Sequence, residues 1–314
     1  MAKKFYYGGQ AVIEGVMMRG RTRISTAVRR PNGEIAIHQE RLGTLSSTRI
    51  RDIPLLRGTV VLVETLVIGI RALLYSASVA VEEEEQEVTS SMLWGSVGIG
   101  LALAVVLFLA IPLLIVRYGI DPHVDSAIVG NAADGVIRLI IFLVYLKAMT
   151  LIADIRRVFA YHGAEHATIN AYEAGEPLDV EHVRKYGTAH TRCGTSFLLF
   201  VLVIAIIAHM FLGDPPLVYR FLERLAILPV IAAVSYEMIK FFAGHTDNPL
   251  VRVLLAPGLA LQSMTTQRPE DDQLEVAIAA LEDVVKADSI ASVELAEETG
   301  PVSGVTGGPD GVDH

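Results

Sequence analysis

The sequence predicts a mainly α, polytopic membrane protein, with about four transmembrane helices, one interfacial amphipathic helix and a small β-hairpin region at the N-terminus. Three observations carry this expectation. The 314 residues are 52% hydrophobic and only 19% charged. Met92 to Val116 holds no charged residue over 25 positions, more than the roughly 20 a helix needs to cross the hydrocarbon. Twelve Lys and Arg precede Met92, whereas Arg117 to Gly135 holds one Arg and three Asp. Positive charge is retained on the cytoplasmic side, so the N-terminus is expected inside.

Residues 1–53 read as a cytoplasmic β-rich region. Arg23 to Arg30 and Glu34 to Arg41 flank Pro31-Asn32-Gly33, and Asn-Gly between β-prone segments signals a hairpin. Ahead of it, Gly8 to Gly20 is an apolar run punctuated by glycines, which mark bends or close backbone approach. No cleavable signal is expected, because Met1 to Arg30 lacks the necessary apolar core.

Residues 54–90 follow as an interfacial helix and an acidic linker. Leu55 to Ser78 is apolar, yet Arg57, Glu64 and Arg71 recur every seven residues and share one helical face. That stripe suits a helix lying at the membrane surface or partly re-entering it. Glu82 to Glu87 reads as a solvated linker.

Residues 91–243 form the membrane domain. After Met92 to Val116, spans are expected at Val136 to Ala153, Gly194 to Gly213 and Leu225 to Ala243. Four spans return the 154–193 loop and the C-terminus to the cytoplasm, and Arg156, Arg157, Arg184, Lys185 and Arg192 in that loop agree. The protein is therefore expected in the plasma membrane (the inner membrane of a two-membrane cell), with both termini inside.

Residues 244–287 are a cytoplasmic segment ending in a helix. Pro257-Gly258-Leu259 reads as a turn, and Pro269 with Glu270, Asp271 and Asp272 opens a helix. Its apolar face is Leu274, Ala277, Ile278, Leu281, Val284 and Val285. Residues 288–314 read as a disordered acidic tail. From Glu270 onward twelve acids face one lysine, so the net charge of -9 belongs to this end of the chain.

The chemistry concentrates at His162-Gly163-Ala164-Glu165-His166. A helix places residues three and four apart on one face, so His162 and His166 can share a metal with Glu165 beside them. This is the HxxEH order of inverted zinc peptidases, with two His ligands and a Glu as general base. The helix is expected to continue directly from the second span and to stop at Gly175, with His162, His166, Asn170 and Glu173 on one face. His190 and Cys193 follow at the mouth of the third span. Cys193 is the single cysteine and is expected to face a reducing compartment. Glu237, an ionisable residue inside a span, marks a functional site and falls at the same depth.

Topology thus brings His162, Glu165, His166, His190, Cys193 and Glu237 to one membrane face, whereas His123 and His209 fall on the other. Five segments carry a resemblance to a family: Gly8 to Gly20, Tyr161 to His166, His190 to Phe197, Ser235 to Glu237 and Pro257 to Pro269. Together they resemble the YqhQ-like family of bacterial integral membrane proteins, a domain of unknown function described as predicted metal-dependent enzymes. The resemblance covers residues 5 to 287 and implies metal-dependent chemistry on an unidentified substrate.

The expected reading is a membrane enzyme of hydrolase type. A divalent metal, zinc by ligand chemistry, is held by His162, His166 and a third ligand. Glu237 is the first choice for that ligand and His190 or Cys193 are competitors, with Glu165 as catalytic base. The competing expectation is a non-enzymatic scaffold in which a structural metal or a hydrogen-bonded His/Cys/Glu cluster organises the face. Expected partners are the bilayer, anionic lipid headgroups, and a membrane-protein partner or a second copy of the chain. No nucleic-acid partner is expected.

Overall fold

A computed structural model of the chain describes residues 5–43, 53–81, 89–245 and 247–298. The linker Glu82 to Glu87 and the tail beyond residue 298 lie outside the described residues. The N-terminal region is a four-stranded antiparallel meander, ordered β1 (Gly8–Val12), β2 (Gly15–Arg19), β3 (Arg23–Arg29) and β4 (Ile35–Arg41). The Pro31-Asn32-Gly33 segment turns β3 into β4, with Gly33 at φ 89°. The glycine-punctuated run is a second hairpin, in which Val12 stands opposite Gly15 and Glu14 takes φ 50° at the turn.

Alternation along the strands buries both faces of this sheet. Val16, Met18 and Ala27 share one core with Tyr161, Ala164, Leu274, Leu281 and Val284. Val12, Met17, Ile24 and Val28 pack on the other side against Ala72 and Val79. Burial on both faces explains why Ala11 to Met18 is almost continuously apolar rather than alternating.

The helices are α1 (Leu56–Ala80), α2 (Ser90–Val105), α3 (Ile111–Gly119), α4 (Ala127–Met149), α5 (Ala153–Ala174), α6 (Val180–Val183), α7 (Gly194–Met210), α8 (Leu217–Ala243), α9 (Pro249–Thr265) and α10 (Asp271–Glu298). A π-helical turn, Val106–Ala110, joins α2 to α3. The first sheet core consists of side chains from α5 and α10, and the second of side chains from α1. Four segments are long and apolar enough to cross a membrane: Leu56–Ala80, Ser91–His123, Ala127–Met149 and Leu217–Phe242. Helix α7 is apolar but shorter, at 17 residues, about 25 Å of helix.

Length and composition therefore single out α1, which the sequence places at the surface, and pass over α7. The sheet, α5 and α10 share a core and so lie on one side of the membrane, which requires an even number of crossings between them. Helix α1 packs on the sheet along one face: Glu64, Gly69, Ala72, Ser76 and Val79 are buried, while Val63, Leu66, Val67 and Leu73 are exposed. The Arg57, Glu64, Arg71 stripe is used, since Arg57 pairs with Glu237, Glu64 with Arg19, and Arg71 lies 4.0 Å from Glu40.

Several boundaries differ from expectation. Helix α4 starts at Ala127 rather than Val136 and α8 at Leu217 rather than Leu225, because the charges in these turns neutralise one another. Asp134 Oδ2 accepts from Arg138 Nη2 at 2.8 Å and faces Arg224 Nη1 at 2.5 Å, while Arg220 and Arg224 both donate to Asn131 Oδ1 at 2.9 Å. A window that rejects charge is blind to such a network.

Helix α5 does not continue α4. The chain turns at Thr150 to Ile152, and α5 restarts from an extended Ile152. Pro257-Gly258 is no turn but the middle of α9, where Gly258 packs against Ser196 and neighbouring Leu255 joins Phe200 and Phe242; tertiary packing overrides the local turn signal. Helix α10 runs past Asp288, the expected start of the disordered tail. The Asp288 carboxylate accepts from the backbone N–H of Arg21 at 2.8 Å and Thr22 at 3.2 Å, which caps the β2–β3 turn.

Candidate metal centre

Small residues on the buried side of α5, Ala160, Gly163, Ala164, Ala167 and Ala171, let its neighbours approach closely. A Cβ on Gly163 would stand 2.0 Å from the Gln267 carbonyl oxygen, so only glycine admits the connecting segment that follows α9. Gln267 in turn donates its backbone N–H to the Phe159 carbonyl at 2.9 Å. The helix ends at Gly175, which adopts φ 81° and closes the last turn.

One face of α5 holds the loop 187–192. Asn170 Nδ2 donates to the carbonyls of Gly187 at 2.9 Å and Ala189 at 3.1 Å, and Glu173 accepts from Arg192. Higher on the same face His166 Nδ1 meets the Thr188 carbonyl at 2.6 Å, and His162 Nδ1 meets the Thr265 carbonyl at 2.8 Å. A carbonyl only accepts, so both imidazoles carry their proton on Nδ1 and present an Nε2 lone pair. That arrangement is the one that orients histidine ligands on metals.

The two Nε2 atoms converge with a sulfur. Cys193 caps α7, its Sγ accepting from Thr195 N–H at 3.4 Å, and Sγ lies 3.3 Å from His162 Nε2. His162, His166 and Cys193 each offer one ligand atom, and these atoms lie within 4.8 Å of one another. The positive end of α7 sits at the sulfur, a setting that suits a metal-bound thiolate.

Glu165 stands beside them, 4% exposed, with Oε2 at 3.5 Å from His166 Nε2 and 4.0 Å from His162 Nε2. Burial pushes its carboxyl up to about 7, against the opposing pull of His162 and of the Gly9 N–H. Strand β1 closes over it, and a Cβ on Gly9 would meet Glu165 Cγ at 2.9 Å and the Met17 carbonyl at 2.5 Å. Gly9 of the N-terminal run thus serves close approach to the candidate base.

His190 and Glu237, the other expected ligands, are placed differently. The His190 ring lies 5.5 Å from that of His166, but Nδ1 accepts from Arg192 N–H at 3.4 Å and Nε2 lies 3.3 Å from Arg192 Nη2. Burial, then Arg192 and His166, push it down to about 4, so it stays neutral at neutral pH. Glu237 is outside the cluster. Its carboxylate takes a two-pronged contact from Arg57, through Nε at 2.6 Å and through Nη2, together with Leu55 N–H at 3.2 Å. Equal depth in the membrane does not bring two groups together when an arginine on the adjacent helix claims one of them.

Sequence reasoning missed the supporting groups. Gln262 clamps the loop, accepting from His190 N–H at 3.0 Å and donating to the His190 carbonyl at 2.8 Å and to Ser196 Oγ at 3.0 Å. Thr188 and Thr265 act through carbonyls, which any residue supplies and which leave no signal in a sequence. A cavity of about 430 Å³ opens above Glu165 and the three ligand residues, bordered by Gln10, Arg19 and Arg192.

The family described as "Protein of unknown function (DUF1385)" matches residues 53–287. The chain is 31% identical over 299 residues to "Uncharacterized protein YqhQ" of Bacillus subtilis (strain 168), covering 91% of this chain and 94% of that protein. No solved structure matches it. By the extent of both similarities, the chain belongs to the DUF1385 family of proteins of unknown function, as a membrane member with a His/His/Cys cluster beside a buried glutamate.

Proposed function

We propose that the protein is a metal-dependent membrane enzyme of hydrolase type, with zinc held by His162, His166 and Cys193 and Glu165 as catalytic base. The observation that carries this reading is the pair of Nδ1 contacts to the Thr265 and Thr188 carbonyls, which aim two Nε2 lone pairs toward one sulfur. Nitrogen and sulfur donors suit zinc, and three protein ligands leave a fourth position open, as catalytic sites do.

Bound there, the metal supplies Lewis acidity to a carbonyl or phosphoryl centre and acidifies water. The chain does the rest. Glu165, raised toward neutrality by burial, accepts a proton from the attacking water and returns it to the leaving group. The Gly9 N–H holds the carboxylate, and β1 with the α7 start keeps bulk water from the base.

The scaffold reading takes either a closed metal site with four ligands or a metal-free cluster held by its own hydrogen bonds, and metal content separates the second from the enzyme. Among the described residues three ligand groups converge, and Arg192 lies against both ring nitrogens of His190. The arginine-rich N-terminal segment supports placing this face in the cytoplasm of the plasma membrane. Elemental analysis of detergent-purified protein tests the proposal. The expected result is about one zinc per chain in the wild type and a large loss in His166→Ala at unchanged fold; absence of metal from both overturns it.

A further inference from the structure

The cavity has one wall that hydrolysis alone does not require. Thr65 and Ile68 of α1 border it, as does Gly194 at the start of α7. Both helices carry exposed apolar side chains: Val63, Leu66 and Val67 on α1, and Leu198 on α7. Helix α1 is packed on the sheet along its other face. A helix packed on protein along one face and apolar on the other meets lipid along the apolar face. The mouth between α1 and the first turn of α7 therefore opens beside apolar, lipid-facing side chains, with Arg19 and Arg192 at its inner wall.

The remaining walls include two arginines, among aromatic and glycine residues of the N-terminal segment. Arg19 Nη2 lies 2.8 Å from Glu64 Oε2. Arg192 Nη2 pairs with Glu173, and its guanidinium lies over the Tyr6 ring, 4.2 Å from the centroid. These contacts fix the two guanidinium forks, and each ion pair uses one of five N–H donors. Forked guanidinium groups match the oxygens of phosphate or carboxylate, and a 430 Å³ cavity is within the size range of small-molecule sites, roughly 300–1,000 Å³.

We propose that the cavity binds an anionic amphiphile, whose oxyanion headgroup sits between Arg19, Arg192 and the three ligand residues and whose apolar chain leaves between α1 and α7. The headgroup position rests on the metal reading above; the chain exit does not. A soluble oxyanion satisfies the same cations but has no use for the α1 wall. Short-chain probes separate the two sources.

The full-length protein, loaded with cobalt(II) in a non-ionic detergent, is titrated with dihexanoyl phosphatidate, dihexanoyl phosphatidylcholine, glycerol 3-phosphate and inorganic phosphate. The visible cobalt bands and the melting temperature are both followed. Phosphatidate is expected to bind at least tenfold tighter than glycerol 3-phosphate and than the zwitterionic lipid. Thr65→Trp, at an exposed position, is expected to erase the advantage of the chain, and Arg192→Gln to weaken every anion at least tenfold.

Equal binding of phosphatidate and glycerol 3-phosphate overturns the proposal in favour of a soluble oxyanion. Intact cobalt bands that no probe perturbs, with no melting shift, overturn it while leaving the metal reading standing. If no cobalt binds, the metal reading fails, and the melting shifts alone then decide the amphiphile by the same ranking.

Discussion

His162 and Cys193 are 31 residues apart in the chain, yet His162 Nε2 lies 3.3 Å from Cys193 Sγ. The contact joins a helix of the sheet-bearing unit to the N-cap of an apolar helix, so the candidate centre sits at the junction of the two. Loss of either residue is felt on both sides of that junction.

Cys193→Ser is expected to lower zinc affinity by at least tenfold, because a hydroxyl is a far poorer zinc ligand than a thiolate. The fold should survive, since a hydroxyl also caps α7. Competition with a chromogenic chelator measures the affinity; unchanged affinity removes the sulfur from the ligand set.

Glu237→Gln should leave zinc content unchanged, because Arg57 and Leu55 hold that carboxylate away from the cluster. It should instead loosen α1 from α8, read as faster proteolysis near Leu55. Zinc loss in this variant would restore Glu237 as a ligand.

Glu165 links pH to stability in the metal-free protein. Its carboxyl is raised from 4.5 to about 7, so between these values the folded state binds more protons than the unfolded one, and stability falls as pH rises. Glu165→Gln removes the penalty. The variant should therefore be more stable than the wild type above pH 7, by about 3 kcal/mol at most. The gain should shrink to nothing as pH falls toward 4.5, and melting curves across that range check the sign.

Asp134→Asn leaves Arg138 and Arg224 buried without their shared carboxylate. Breaking a buried pair by removing one partner costs about 3–5 kcal/mol. A lower melting temperature with zinc still bound is expected, because the network lies toward the opposite end of α7 from Cys193. Concerted loss of zinc and fold would show that the two ends are not independent.

Much of this was legible in the sequence. The β3–β4 hairpin followed from Asn32-Gly33, the end of α5 from Gly175, and the pairing of His162 with His166 from helical spacing. What escaped detection depends on partners distant in the chain. The early starts of α4 and α8 rest on Asp134, Arg138 and Arg224 neutralising one another across two helices. The role of Asp288 appears only when α10 lies against the β2–β3 turn. The displacement of Glu237 reflects Arg57, whose helix could not be placed against α8 from periodicity alone.

The central claim is the identity of the three ligands, and zinc-edge X-ray absorption of the purified protein tests it most directly. The account predicts one sulfur at about 2.3 Å with nitrogen or oxygen neighbours at about 2.0 Å, and no sulfur in Cys193→Ser. A wild-type first shell of nitrogen and oxygen alone, or the same shell in both proteins, would contradict it.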